Sequence, residues 1–231
     1  MTKNYFPAFL DLRDKLCVII GGGKVAERKV ENLLKAQAKV KIISPEISPN
    51  LKKLAEEGKI YWEKRAYQKG DLDSAWLVIA ATNNPEVQKQ VFEEAEEKRI
   101  FCNIVDVPNL CSFIVPSVIR RGALTIAIST SATSPAVAKR LRETLENLFG
   151  EEYELYLELM ENLRDQILMS ELSQEEKEKK LHQFALTPIP LYIKNKDIIL
   201  LKTLIERESL LFPKELFEKY FPDIFSRENE K

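Results

Sequence analysis

Val18-Ile19-Ile20-Gly21-Gly22-Gly23-Lys24-Val25-Ala26-Glu27-Arg28 decides the fold. An apolar run beginning at Leu16 stops in three glycines, and a helical pattern follows. Gly21, Gly23 and Ala26 occupy the small positions of a G-x-G-x-x-A turn. The first glycine lets the strand turn sharply. The second removes a Cβ where a pyrophosphate must approach the backbone, and the third small residue lets helix pack closely on strand. Free N–H groups at the helix start then face the phosphates, helped by the helix dipole. A tight turn alone would also use glycines, but strand before and helix after favour a nucleotide site.

The pattern continues outward from this turn. Residues 16–20 lack polar alternation and read as a buried strand. Ala26, Val30, Leu33 and Leu34 form one apolar face of a helix over 25–36. Further strands are expected at 40–43, 60–62, 76–80 and 100–105. Helices are expected at 48–57, ended by Gly58, and from Pro85 to about Arg99. This alternation predicts an α/β, Rossmann-like parallel sheet with ligands at the C-terminal ends of the strands. After Asp106 two apolar runs, 112–119 and 124–129, read as a hairpin joined by Arg120-Arg121-Gly122-Ala123. Ser134 and Pro135 then open a helix, and amphipathic helices run from Glu151 to a charged tail. The expected division is a nucleotide-binding domain over 1–112, a dimerisation region over 113–150 and a helical C-terminal domain over 151–231.

Composition narrows the chemistry. No apolar run approaches the ~18 residues of a membrane span, and charges arrive too early for a signal peptide. Three cysteines without C-x-x-C spacing predict reduced thiols in a cytoplasmic protein, with neither disulfides nor a zinc site. The only histidine, His182, lies among lysines and reads as a solvated helix residue, so a His-based triad or multi-His metal centre is excluded. The net charge of −1 hides an asymmetry, with 18 acidic and 12 basic residues in 150–231. Between Ser112 and Arg142 there is no acid, but there are Arg120, Arg121, Lys139, Arg140 and Arg142. A field of one sign favours an anionic partner. Nucleic acid is not expected, because the stretch lacks interleaved aromatics and no helix-turn-helix pattern is visible.

Candidate site residues cluster at strand ends. Where a dinucleotide fold places an acid after the second strand, the chain has Ser44-Pro45-Glu46, so Ser44 or Glu46 would meet the ribose. No basic residue stands nearby to receive a 2′-phosphate, which favours NAD over NADP. Ala80-Ala81-Thr82-Asn83-Asn84 fits a cofactor contact through Thr82 and Asn83. It fits equally a simple strand-end turn with Asn84 capping the next helix. By position alone Asp106 reads as a turn residue before Val107-Pro108-Asn109, with a general base as the alternative. Thr130 to Ser134 offers hydroxyls for an anion, or only a helix cap. Arg120, Arg121 and Arg140 are candidate anion contacts by virtue of their acid-free surroundings.

These segments together resemble the precorrin-2 dehydrogenase family, including the first half of multifunctional siroheme synthases. The resemblance runs from residue 5 to about 148. It rests on Pro7-Ala8-Phe9-Leu10-Asp11-Leu12, the glycine turn with its Val25-Ala26-Glu27-Arg28-Lys29 continuation, Asn103-Ile104-Val105-Asp106, Phe113-Ile114-Val115-Pro116-Ser117, and the Ile128-Ser129-Thr130 and Ser134-Pro135 loop. It implies NAD-dependent oxidation of precorrin-2 to sirohydrochlorin in siroheme (porphyrin) biosynthesis, with Fe²⁺ inserted by some members as ferrochelatases. It also implies a homodimer. The family's key aspartate falls on Asp106, which turns the positional reading of that residue toward catalysis. Family cofactor contacts fall on Lys24, Val25, Pro45 and Glu46. A serine phosphorylated in some fused members corresponds to Thr130, and Ser131-Ala132 replaces their Gly-Gly. A polycarboxylate tetrapyrrole agrees with the Arg-rich, acid-free stretch, and its own nitrogens would hold the metal, so no protein metal cage is expected. The competing class is an NAD-binding sensor module without catalysis, which would need neither Asp106 nor a large anion site.

Overall fold

The computed structural model describes residues 4–131 and 133–222. β1 (Leu16–Ile20) is the central strand of a five-stranded parallel sheet. β2 (Lys39–Ile43) and β3 (Tyr61–Glu63) lie on one side of it, and β4 (Leu77–Ala80) and β5 (Phe101–Ile104) on the other. The order β3-β2-β1-β4-β5 reverses direction between β1 and β4, where such sheets open a crevice for ligands. β1 and β4 are buried almost throughout, which explains their uninterrupted apolar sequence. α1 (Lys24–Lys35) and α2 (Pro49–Glu56) carry Ala26, Val30, Leu33 and Leu51 into one core cluster with Ile19, Ile42 and Ile79. α3 (Pro85–Lys98) brings Val91 and Ala95 to a second cluster with Val18, Val78 and Cys102. Each expected strand and helix of this region is present, displaced by at most a residue or two at its ends.

The hairpin differs from expectation in its limits. β6 (Ser117–Arg121) pairs antiparallel with β7 (Leu124–Ile128), with Arg120 opposite Thr125 and Arg121 opposite Leu124. Both arginines therefore lie within the ladder, and only Gly122-Ala123 turns; Gly122 takes φ +54°. Residues 112–116 stay outside the hairpin because Ser112 is bound elsewhere. Its N–H donates to the Cys102 carbonyl at 2.8 Å, and its Oγ accepts the Cys102 N–H at 2.8 Å, along the open edge of β5.

Helices make up the rest: α4 (Pro135–Leu148), α5 (Glu152–Met169), α6 (Gln174–Ala185), α7 (Ile189–Asn195), α8 (Ile198–Arg207) and α9 (Lys214–Tyr220). Leu155, Leu159, Leu163 and Ile167 form the buried stripe of α5, against Phe184, Ile193, Leu201, Ile205 and Phe217. His182 is exposed on α6, as expected. The charged tail from residue 223 lies outside the described residues. The chain divides into two compact units: residues up to 115 with 131 and 133, and residues 116–130 with those from 134 on. Among the described residues no helix is long and apolar enough to cross a membrane.

One buried acid fastens the first unit. Glu94 on α3 is 1 % exposed. It accepts the Tyr67 hydroxyl, the N–H groups of Gly70 and Leu72 at 3.1 and 3.3 Å, and lies 3.3 Å from Lys98 Nζ. These bonds tie the 64–75 segment to the helix. Removing the carboxylate strands several buried donors, so Glu94→Ala should lower unfolding free energy by about 3–5 kcal/mol. Urea denaturation followed by circular dichroism measures this; a loss below about 1 kcal/mol would mean water replaces the carboxylate.

Candidate functional site

The site begins with strands that end level. Ile20 of β1 pairs with Ile43 of β2 and Ala80 of β4, and Ala80 pairs with Ile104 of β5. Gly21, Ser44, Ala81 and Val105 therefore leave the sheet along one edge, and Asp106 is one residue further. At the usual strand spacing Asp106 stands roughly 10 Å along that edge from the glycine turn.

The three glycines do three different things. Gly21 adopts φ +111°, and a Cβ there would drive into the Ala81 carbonyl, so glycine is required on both counts. Gly22 was not among the expected positions. A Cβ on it would collide with the Glu46 carbonyl and with Ile47, because the loop after β2 packs directly on it and the Ser48 N–H donates to the Gly22 carbonyl at 2.8 Å. The third glycine in the run is the signal that could have revealed this, since the dinucleotide turn itself asks for only two there. Gly23 has φ −83° and nothing within 4 Å of its Cβ position. Neither conformation nor protein packing demands glycine there. The open face fits a phosphate-bearing ligand lying against the backbone.

α1 opens on Gly23 without a side-chain cap, and its first backbone bond runs from the Glu27 N–H to the Gly23 carbonyl. The N–H groups of Lys24, Val25 and Ala26 precede that ladder and are the orphan donors of a helix start. In the same unit α2 and α3 are capped, by Ser48 and Asn84. The residues present thus fit a dinucleotide cofactor.

The loop after β2 is held by an acid that sequence reasoning passed over. Glu27 accepts Ser48 Oγ and Asn50 Nδ2, each at 2.6 Å, and these hydrogen bonds hold its carboxyl below the usual range. Ser44 is buried; its hydroxyl donates to the Glu46 carbonyl at 2.6 Å, and its carbonyl accepts Trp62 Nε1 at 2.9 Å. Ser44 therefore shapes the loop, while Pro45 and Glu46 are exposed on it. Thr82 Oγ1 accepts the Asn84 N–H at 3.3 Å, and Asn84 Oδ1 accepts two N–H groups of α3. Asn83 is exposed and makes no hydrogen bond among the described residues.

Asp106 is exposed in the turn leaving β5, at φ +62°, a conformation aspartate tolerates. Its neighbours are fastened on both sides. Asn103 is buried and donates to the Phe113 carbonyl at 3.0 Å, and the Cys111 thiol donates to the Ile104 and Val107 carbonyls at 3.2 and 3.3 Å. The cysteines are packing residues: burial raises the Cys17 thiol to about 11 and, with Cys111 beside it, the Cys102 thiol to about 12.

The basic candidates belong to the second unit. Thr130 and Ser134 bond each other: Thr130 Oγ1 donates to the Ser134 carbonyl at 3.0 Å and accepts its N–H at 3.2 Å. Ser134 Oγ caps α4 through the Val137 N–H. Acids just beyond the acid-free stretch reach several of its cations. Arg121 Nε is 3.5 Å from Glu151, Lys139 is 3.8 Å from Glu143, and Arg142 pairs with Glu143 and Glu146. Arg120 and Arg140 are exposed with no carboxylate partner among the described residues. Among the described residues no group of three or more His, Cys, Asp or Glu could hold a metal ion.

Comparison with known proteins agrees with this geometry. Residues 8–117 match the family model described as "Putative NAD(P)-binding". The chain is 43% identical over 145 residues to siroheme synthase 1 of Serratia proteamaculans, covering 63% of the chain and 30% of that protein. It is 42% identical over 164 residues to siroheme synthase 1 of Aeromonas hydrophila, covering 71% and 35%. The N-terminal part of this chain is homologous to siroheme synthases. The chain spans about a third of the length of these curated relatives. A solved structure titled "SirC, precorrin-2 dehydrogenase" shares the fold, with a TM-score of 0.74 at 23% identity over 86% of this chain and 98% of that one. The fold likeness extends beyond the sheet domain into the helical region. An NAD-type cofactor is thus supported by the family model as well as by the glycine turn.

The glycine turn yields a paired prediction. Gly22→Ala should destabilise the protein by about 1–3 kcal/mol through the clash with the Glu46 loop. Gly23→Val should leave the melting temperature unchanged yet weaken NAD at least about tenfold. Thermal melts with calorimetric NAD titration separate the two; wild-type NAD affinity in Gly23→Val would make that glycine dispensable to the cofactor.

Proposed function

We propose that this protein is an NAD-dependent precorrin-2 dehydrogenase that forms sirohydrochlorin in siroheme biosynthesis. The observation that carries the reading is a carboxylate, Asp106, on the same strand-end edge as a glycine turn built for a dinucleotide, two strands away from it. When bound, the nicotinamide supplies the hydride acceptor. The chain supplies the rest. The N–H groups of Lys24, Val25 and Ala26 bind the pyrophosphate, and Gly23 leaves room for it. Glu46 accepts the ribose hydroxyls in place of an acid at the strand end itself. The absence of a basic residue in the 43–49 segment favours NAD over NADP. Thr82 and Asn83 line the β4 end of the crevice. Asp106 takes the ring proton as the hydride leaves.

Removing pyrrole N–H protons for Fe²⁺ insertion would ask for the same kind of base, and the macrocycle would hold the metal, so we place that reaction at Asp106 as well. Arg120, Arg140 and, with Thr130 and Ser134, the start of α4 are assigned to the tetrapyrrole carboxylates. The active form is a homodimer. Its support is the two-stranded sheet, whose Leu124, Ile126 and Ile128 stay only half-buried although α4 and α5 pack on it, together with exposed Val137, Leu141 and Leu148 on α4. Residues 113–150 are the dimerisation region of this scheme, between an NAD-binding domain and a helical C-terminal domain. The protein acts in the cytoplasm.

Purified protein given precorrin-2 and NAD, with and without Fe²⁺, should produce the sirohydrochlorin spectrum only when NAD is present. Asp106→Asn should reduce that rate by about 10²–10⁴-fold while binding NAD normally. NAD binding without turnover in the wild type would instead identify a sensor module. Arg120→Ala/Arg140→Ala should raise the substrate KM several-fold at low salt, each exposed pair being worth about 0–1 kcal/mol, with the difference shrinking as salt rises. An unchanged KM and salt slope would make these arginines a solvated surface.

A further inference from the structure

Lys29 has no role in the site so far, and its surroundings are unusual. It follows Ala26 by three residues on α1 and precedes Leu33 by four, so it flanks the stripe of Ala26, Val30 and Leu33 that packs on the sheet. The residue is half-buried. Val105 and Phe113, on either side of the Asp106 turn and its stitched segment, pack against the same cluster. The ammonium lies within the electrostatic reach of the Asp106 carboxylate. Yet among the described residues it makes no hydrogen bond and no ion pair within 4.0 Å. Elsewhere in this unit Lys41 pairs with Glu63 at 2.6 Å, Lys98 pairs with Asp73 and Glu94, and Lys15 lies over the Trp76 ring.

A sheltered ammonium without a partner costs free energy. Burial, and then the neighbouring Arg28, pull its pKa below the ordinary lysine value, against the opposing pull of Asp106 and Cys111. Asp106 likewise accepts no hydrogen bond among the described residues. The two groups attract each other but do not close into a salt bridge. A carboxylate-bearing ligand entering beside Asp106 would be repelled by that residue alone; the unsatisfied ammonium offsets the repulsion and offers a fixed donor.

We propose that Lys29 is a substrate-binding residue that takes one carboxylate of the tetrapyrrole and so sets the proton-bearing ring position against Asp106. This rests on the dehydrogenase reading above. The full chain is titrated with sirohydrochlorin, followed by its absorbance, for the wild type, Lys29→Gln, Lys29→Met and Lys29→Arg, without NAD and then with it. Loss of one charge-assisted hydrogen bond should weaken binding about tenfold or more in Lys29→Gln and Lys29→Met. Lys29→Arg should restore most of it, and NAD affinity should stay at the wild-type level in all three, which also reports that α1 is intact. Wild-type sirohydrochlorin affinity in Lys29→Gln and Lys29→Met would overturn the assignment alone. So would a parallel loss of NAD and sirohydrochlorin binding, which would make Lys29 a support of the helix. A wild-type protein that binds no sirohydrochlorin would overturn the dehydrogenase reading and the assignment with it.

Discussion

Backbone meeting backbone at Gly21 and Gly22 is the constraint on which the first unit depends. Gly21 lies against the Ala81 carbonyl and Gly22 against that of Glu46. With side chains at either point, the β4 turn and the loop after β2 would have to move away from the end of β1. The loop would then lose the Ser48–Gly22 bond and its anchorage to Glu27. Such close contacts are possible only where no Cβ intervenes, and they bring three loops to one short edge. Gly23 is different in kind, because no protein atom occupies the space it leaves. Two glycines therefore build the crevice and the third keeps it open.

Polar groups follow the same division between what is closed and what is left available. Ser44, Ser48, Asn50, Asn84, Asn103 and Ser112 are engaged in bonds that fix loops around the edge. Left without such bonds near this edge are, among others, the first N–H donors of α1, Asn83, Lys29 and the Asp106 carboxylate. Asn83 and Asp106 meet water, so their unpaired state costs little; the uncapped start of α1 and the half-buried Lys29 ammonium are the groups whose lack of a protein partner suits a ligand. Capping of α2 and α3 but not α1 is the clearest local expression of this.

Sequence periodicity revealed the sheet because its two innermost strands are buried on both faces and its helices are amphipathic. Leu16–Ile20 and Leu77–Ala80 have no competing reading, and Gly58 and Pro85 mark helix ends by their own backbone chemistry. The hairpin limits were less legible. Residues 113–115 are as apolar as a strand, but the Ser112 bonds to Cys102 commit the segment to the edge of β5, and no local pattern encodes that. The acid-free stretch was likewise real in sequence and incomplete in space. Glu143, Glu146 and Glu151 lie just past its end, and helical spacing or the approach of α5 brings them to Lys139, Arg142 and Arg121. Glu27 and Gly22 were in plain view, but their partners are some twenty residues away.

Asp106, the base of the proposed reaction, is positioned by the fold without being enclosed. Its own side chain is exposed and accepts no hydrogen bond, so nothing immobilises the carboxylate directly. The backbone around it is another matter. Asn103 and Cys111 cross-link the loop to its own strand, and the positive φ turns the residue out of line with β5. In the proposed reaction a base fixed through its main chain would keep its position at the strand-end edge while its carboxylate stayed free to rotate toward a proton. The buried thiol of Cys111 acts here as a small donor to two carbonyls, which accounts for a cysteine in a place where no redox chemistry is called for. Replacing it by a larger side chain would press on the Ile104 and Val107 carbonyls and move the turn. The position of the carboxylate thus depends on Asn103 and Cys111, both buried behind the turn.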